Sequence, residues 1–254
     1  MRMPDSVYND YLHYIKEGRF PSKEALQRMH DVGKMIVPLE VMDKASRIGS
    51  GMERIESRIE KMGLQAKIDE LTGAISKEEA ARLEAERADA LETIKSADTA
   101  GFLQDEVLEK ISMLHEKGYL DDKEYVCMSV RKGTLTAEER GIMESHVVAT
   151  GKILNNVSFP KNYSQVPLWA ASHHELLNGN GYPNHLKAED IPKEVRLLSI
   201  LDVFDALTAR DRPYKPAMPL EKALSILHIM AEKEGSLDPD ILALFEASKA
   251  WEDV

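Results

Sequence analysis

Helical periodicity runs through nearly all of this 254-residue chain, and strand-like alternation is scarce. β-Branched and aromatic residues rarely alternate with polar ones, whereas apolar residues recur at three- and four-residue spacing. That spacing follows the turn of an α-helix rather than the two-residue period of a half-buried strand. The expected fold class is therefore all-α. Apolar residues make up 43% of the chain, enough to bury a sizeable core.

Capping and stop signals divide the chain into predicted helices. Asp5 to Glu17 reads as a short helix closed by Gly18. Ser22 caps a second, predicted to run through Met29, His30 and Asp31 and to stop near Gly33. Between Met52 and Ile94 the composition shifts to Glu, Lys, Arg, Ala and Leu. Met52, Ile55, Ile59 and Met62 form one apolar stripe. Ala80, Leu83, Ala90 and Ile94 form another, interrupted by Arg87. Thr72 to Ser76 reads as the turn between them, and Ser76 with Glu79 has the capping-box pattern. The prediction is an antiparallel helical hairpin with a narrow apolar seam. Two readings of it stay open: a solvated pair folded against the core, or a coiled coil that dimerises or transmits a signal.

A loop is predicted at Ala97 to Gly101, then a helix from about Gln104 to Glu116. Thr136, with Glu139 three residues on, opens a helix carrying Ile142, Met143 and His146. Pro167 to Leu176 is predicted to hold His173 and His174 on one helix. Asn178-Gly179-Asn180-Gly181-Tyr182-Pro183 is a loop on composition alone. Val195 to Thr208 reads as a strongly apolar helix bearing Asp202 and Asp205. Leu220 to Glu232 and Pro239 to Lys249 complete the set.

The formal net charge of -11 argues against direct DNA or RNA binding, which needs clustered positive charge. A small anionic substrate remains compatible, because a few local cations or a metal outweigh the global field. One cysteine, Cys127, permits no intramolecular disulfide and fits a reducing compartment. No apolar run reaches the roughly 18–20 residues of a membrane span, and no secretory leader is expected at the N-terminus. The expected location is cytoplasmic.

Among eight histidines, the adjacent pairs His30-Asp31 and His173-His174 stand out, with His146 between them in sequence. Neighbours on a helix point about 100° apart, so both members of a pair reach one site only at a helix face or end. Imidazole and carboxylate donors together suit Fe, Mn or Zn better than Ca or Mg. Asp202 lies amid Leu197, Leu198, Ile200, Leu201 and Val203, where a carboxylate needs a partner. That partner is a metal, an arginine or a helix cap. Lys34 reads by itself as a lysine favoured by a helix C-terminus. The Gly181-Tyr182-Pro183 loop reads either as a nucleotide-contacting segment or as a tight surface turn.

His30-Asp31-Val32-Gly33-Lys34 resembles the His-Asp-x-Gly-Lys signature of HD-domain phosphohydrolases. Five further strings resemble the HD-GYP subfamily in order and spacing. They are His173-His174-Glu175, Gly179 to Pro183, Ile191-Pro192, Asp202 to Thr208, and Arg212-Pro213-Tyr214-Lys215. The resemblance implies an HD-domain helical bundle over residues 30–44 and 133–254. Short N-terminal helices (1–29) would precede it, and a charged helical insertion (45–132) would interrupt it. It implies a metal-dependent phosphodiesterase that hydrolyses cyclic di-GMP to linear pGpG, with a second step to GMP left open.

Two divalent ions, Fe or Mn, are implied. Asp31 would bridge them, His146, His173 and His174 would complete one, and His30 and Asp202 would serve the other. Asp31 and Lys34 would be catalytic. Lys34, Gly181, Tyr182, Pro183, Arg212 and Lys215 would contact substrate, and Asp205 would orient a ligand or Arg212.

The family's further N-terminal histidine or glutamate would fall before Met1, so the chain reads as shortened at that end. Three consequences stay open. His13 or Asp10 replaces the ligand, the first metal takes extra water, or the domain is a weak or inactive module that binds nucleotide or a protein partner. A homodimer through the insertion or the N-terminal region is a further expectation.

Overall fold

In a computed structural model, residues 29–209 and 218–249 are described. The helices predicted before Met29, together with Asp10, His13, Arg212 and Lys215, lie outside the described residues. Among the described residues there is no β-strand, only two isolated bridges, Phe102 with Lys132 and Asn178 with Lys187. Among the described residues the fold is all-α. The chain divides into two compact units. One is Leu39–Arg140, and the other is drawn from the sequence on both sides of it.

The Leu39–Arg140 unit starts with α1 (Leu39–Met42), followed by α2 (Met52–Leu71), α3 (Lys77–Thr99), α4 (Asp105–Glu116) and α5 (Asp122–Met128). Helices α2 and α3 form the predicted hairpin, and Ser76 caps α3 by accepting from the Glu79 N–H at 3.1 Å. Ile55, Ile59, Ala90 and Ile94 are buried with Leu103, Ile111, Tyr119, Leu120 and Met128 in one core. Each such aliphatic side chain contributes roughly 1.5–3 kcal/mol on burial. Arg87, which interrupts the second stripe, is accommodated over Gly63. A β-carbon there would stand 3.3 Å from Arg87 Nε.

Helix α3 continues through Ala97 and Asp98, where a loop was expected. The reason lies fifty residues upstream. Fully buried Arg47 donates to the carbonyls of Ala97 at 2.7 Å, Ala100 at 2.6 Å and Val130 at 2.7 Å. Asp98 accepts from the Ile48 N–H at 2.7 Å. These contacts satisfy the carbonyls that a helix end leaves open. Helix α5 was not anticipated, although Asp121 and Glu124 carry its signature and form a complete capping box.

In the second unit, Met29–Ile36 is a 3₁₀ segment that bears the His-Asp pair. It continues past Gly33, the expected stop. The Gly33 N–H donates to Thr150 Oγ1 at 2.9 Å, and a β-carbon at Gly33 would stand 1.9 Å from the His146 carbonyl oxygen. Gly33 therefore permits close approach to α6 (Ala137–Leu154) rather than ending a helix. Thr136 and Glu139 reciprocally cap α6, at 3.2 and 2.8 Å. Met29, Val32, Leu154 and Ala170 pack together where the 3₁₀ segment, α6 and α7 (Val166–Ala171) meet.

Helix α7 ends before His173 and His174, which were expected on it. They occupy a turn in which the Ser172 N–H donates to the Trp169 carbonyl at 3.2 Å and the Glu175 N–H to the Ser172 carbonyl at 2.8 Å. Then come α8 (Lys193–Thr208), α9 (Leu220–His228) with a π-helical extension Ile229–Lys233, and α10 (Pro239–Ser248). Ile200 of α8 packs with Leu227, Ala231, Leu237, Leu242 and Phe245 in a separate core. That core fixes one face of α8, and the same helix bears Asp202.

Candidate metal centre

Four elements carry the donor atoms. The 3₁₀ segment supplies His30 and Asp31, α6 supplies His146, the turn after α7 supplies His173 and His174, and α8 supplies Asp202. His146 Nε2 and His173 Nε2 lie 3.4 and 3.7 Å from Asp31 Oδ1. His30 Nε2 lies 3.5 Å from Asp31 Oδ2 and 3.7 Å from Asp202 Oδ1. His174 Nδ1 lies 3.6 Å from Asp202 Oδ2. Donor atoms of His146, His173 and His174 all fall within 4.8 Å of one another, as do those of His30, His173 and Asp202.

Two imidazoles are fixed in orientation and tautomer. His146 Nδ1 lies 2.6 Å from the Met143 carbonyl and His173 Nδ1 lies 2.7 Å from the Ala170 carbonyl. A carbonyl only accepts, so each Nδ1 carries the proton and donates it, and each Nε2 is the ring nitrogen that faces Asp31. Carbonyl-held histidines of this kind are the usual form of a metal ligand.

Neither Nε2 has a hydrogen-bond partner, and neither does Asp31 Oδ1, although all three atoms are buried. Leaving three such groups unsatisfied costs on the order of 1–3 kcal/mol each. A cation among them removes that cost, and two imidazole nitrogens with a carboxylate oxygen are a donor set that suits a transition metal. The residues therefore fit a metal.

The electrostatics agree with this. Burial and the neighbouring His174 and His30 push the His173 imidazole down to about 3, and burial foremost pushes His174 down to about 4. Both are neutral, and so able to ligate, at physiological pH. Burial would raise the Asp31 carboxyl, but His146, the Lys34 ammonium and His30 outweigh it and hold the group far below the usual carboxylate range. Burial likewise opposes ionisation of Asp202, while His30, His174 and His173 overcome it and lower the group.

Lys34 Nζ is 2.5 Å from Asp31 Oδ2. The Tyr182 ring stacks on His174 with centroids 4.7 Å apart. Gly181 admits no side chain, since a β-carbon would stand 2.2 Å from the Leu176 nitrogen. Pro183 follows Tyr182 through a cis bond.

Three positioning residues were not singled out from sequence. Glu175 is buried, and its two carboxylate oxygens accept from the N–H groups of Asn184 at 2.7 Å and Leu186 at 2.9 Å, which ties down the Gly-Tyr-Pro loop. Thr150 Oγ1 accepts from Gly33 and donates to the His30 carbonyl at 3.1 Å. Ser199 Oγ donates to the His173 carbonyl at 2.6 Å. Thr150 lies four residues after His146 and Ser199 three before Asp202, so helical spacing placed each on a ligand-bearing face.

The HD domain family matches residues 74–241, a span that takes in His146, His173, His174 and Asp202 but begins after His30 and Asp31. Among curated relatives, the chain is 32% identical over 136 residues to a 3'3'-cGAMP-specific phosphodiesterase of Vibrio cholerae, covering 54% of this chain and 28% of that protein. It is 34% identical over 146 residues to a cyclic di-GMP phosphodiesterase response regulator of Xanthomonas campestris, covering 56% and 37%. It is 29% identical over 168 residues to a cyclic di-GMP phosphodiesterase of Thermotoga maritima, covering 61% and 44%. The aligned stretch thus spans less than half the length of each of these relatives. No helix among the described residues is long and apolar enough to cross a membrane. The matched span, the relatives and the clustered His/Asp donors converge on one assignment: the chain belongs to the HD domain family and is of its HD-GYP type.

Proposed function

We propose that this chain is a metal-dependent phosphodiesterase that hydrolyses cyclic di-GMP to linear pGpG. The observation that carries the reading is the trio of buried, unpartnered donors, Asp31 Oδ1, His146 Nε2 and His173 Nε2, facing one another. Asp31, His146, His173 and His174 would hold one divalent ion, Fe or Mn, and His30, Asp31 and Asp202 a second. When bound, such ions lower the pKa of water towards neutrality and stabilise charge on phosphoryl oxygens.

The chain's own residues do the rest. The Nδ1 protons of His146 and His173, given to backbone carbonyls, keep the ligating nitrogens aimed. The Lys34 ammonium offers a compact charge to a phosphate. The Tyr182 ring, stacked on His174, sets a flat surface beside the centre against which a purine can pack. Residues 45–132 are read as a helical insertion. Leu64, Ile68 and Leu71, exposed at helical spacing towards the end of α2, support self-association through it. Light scattering of the intact chain tests this, and a monomer at all concentrations would count against it.

A second reading, the hybrid cyclic GMP-AMP as substrate, is favoured by the specificity of the Vibrio cholerae relative. Anaerobic loading with Fe or Mn, incubation with both cyclic dinucleotides and chromatography of the products separate the two. Linear product from cyclic di-GMP, abolished by Asp31→Ala, supports the proposal. Product from the hybrid alone favours the second reading. No product from either, with any metal, would overturn the enzymatic reading.

A further inference from the structure

The two oxygens of Asp31 have different surroundings. Oδ1 is buried and faces the Nε2 atoms of His146 and His173 at 3.4 and 3.7 Å. Oδ2 is 2.5 Å from the Lys34 ammonium and 3.5 Å from His30 Nε2. Lys34 follows Asp31 by three residues on the same 3₁₀ segment, so the backbone itself sets its stem beside the carboxylate.

We propose that Lys34 is a built-in competitor for the second metal seat: its ammonium holds the Oδ2 face of Asp31, so a second divalent ion binds tightly only when Lys34 swings away. The inference rests on the metal-dependent reading above and deepens it, because it concerns how the centre is loaded rather than what it hydrolyses.

Charge favours this arrangement. Among the described residues the centre draws its negative charge from two carboxylates, Asp31 and Asp202, since an imidazole donor brings none. One divalent ion with the Lys34 ammonium already leaves one positive charge in excess. A second ion, with Lys34 still in place, would leave three, in a setting where both aspartates are three-quarters or more buried. Like charges held that close, away from bulk water, repel strongly.

Lys34 has somewhere to go. Its side chain is 31% exposed, and four methylenes let the ammonium move without moving the backbone. A phosphate arriving at the centre offers it a new partner. When Lys34 transfers to the phosphate, Oδ2 is released and the second ion is admitted. Phosphate binding and second-ion binding are then coupled, and linkage makes the coupling mutual. The centre would complete itself only when an anionic ligand is present.

The test is a Mn²⁺ titration of the intact chain by equilibrium dialysis, with electron paramagnetic resonance reporting isolated against exchange-coupled ions. It is run on the wild type, Lys34→Gln and Lys34→Arg, with and without inorganic phosphate. In the wild type, one ion should bind at least about tenfold more tightly than the next, and phosphate should narrow the gap. Lys34→Gln should tighten the second ion at least about tenfold, bring the coupled signal in at lower Mn²⁺, and abolish the phosphate effect. Lys34→Arg keeps the charge and should follow the wild type.

Unchanged second-ion affinity in Lys34→Gln would overturn the proposal while leaving the metal centre standing. Loss of the first ion in that variant would also overturn it, since Lys34 would then support the centre rather than compete for it. A wild type that binds no Mn²⁺, Fe²⁺ or Zn²⁺ would overturn the metal reading itself.

Discussion

Gly33 stands so close to helix α6 that a β-carbon on it would lie 1.9 Å from the carbonyl oxygen of His146 and 2.6 Å from the backbone nitrogen of Thr150. The glycine seats the His-Asp segment directly on the helix that carries His146. Gly33→Ala must push the two elements apart. Overpacking of this kind costs about 1–3 kcal/mol, and here it also lengthens the Asp31–His146 approach. The expected outcome is a lower unfolding midpoint and metal affinity reduced at least about tenfold. Chemical denaturation and metal titration of the same preparation check it. A variant with wild-type metal affinity would show that the contact does not set the ligand geometry.

Glu175 holds the loop that carries Tyr182. Its carboxylate accepts from two backbone N–H groups, at 2.7 and 2.9 Å. Glu175→Gln keeps the shape but presents an amide NH₂ to one of those donors, leaving it unsatisfied at about 1–3 kcal/mol. The loop should loosen while the metal ligands stay in place. In steady-state kinetics with cyclic di-GMP, KM should rise by roughly tenfold with metal content unchanged. Equal loss of metal and activity would mean that Glu175 supports the whole centre instead.

Acidification should destabilise the metal-free protein in two windows. His173 and His174 titrate at about 3 and about 4 in the folded chain because burial disfavours their charged forms. In the unfolded chain they titrate near 6.5. The unfolded state therefore takes up more protons as pH falls from 6.5 towards 4. Stability drops by up to about 1.4 kcal/mol per pH unit for each group. The lowered carboxyls of Asp31 and Asp202 contribute stability above their usual 3.8, and it is lost as pH falls further. Urea unfolding of chelator-treated protein at pH 7.5, 6 and 5 measures the first window. A midpoint that rises on acidification would contradict the buried neutral imidazoles, and His174→Gln should flatten the slope.

Arg47 is the structural centre of the Leu39–Arg140 unit. Fully buried, its guanidinium donates to four carbonyls on two segments, those of Ala97, Asp98, Ala100 and Val130. Arg47→Leu removes these bonds and orphans buried carbonyls, which should cost at least about 3 kcal/mol. Circular dichroism of the variant should show loss of helix at a lower denaturant concentration than in the wild type. Unchanged unfolding would mean that water replaces the guanidinium.

The helical hairpin and the caps at Ser76 and Thr136 were legible because such signals are local: apolar spacing and a polar residue three positions from a glutamate. The same logic applied to α5 at Asp121 and Glu124, where it went unused. Helical spacing misled at His173 and His174. A turn held by Ser172 and Ser199 replaces the expected helix there, and it lets two adjacent imidazoles approach one centre without the 100° divergence of helical neighbours.

By itself, then, the sequence determined the helical class, the hairpin and the motif strings that name the donor residues, because each is written in near neighbours. Only the tertiary structure decided which atoms face one another. Asp31 Oδ1 meets imidazoles from positions 146 and 173, Oδ2 meets Lys34, and Glu175 closes the loop at 184 and 186. Apart from the local Lys34 contact, those relationships depend on the close packing of α6, α8 and the turn after α7 around one short segment. Packing between elements distant in the chain leaves no periodic trace in the residues that achieve it.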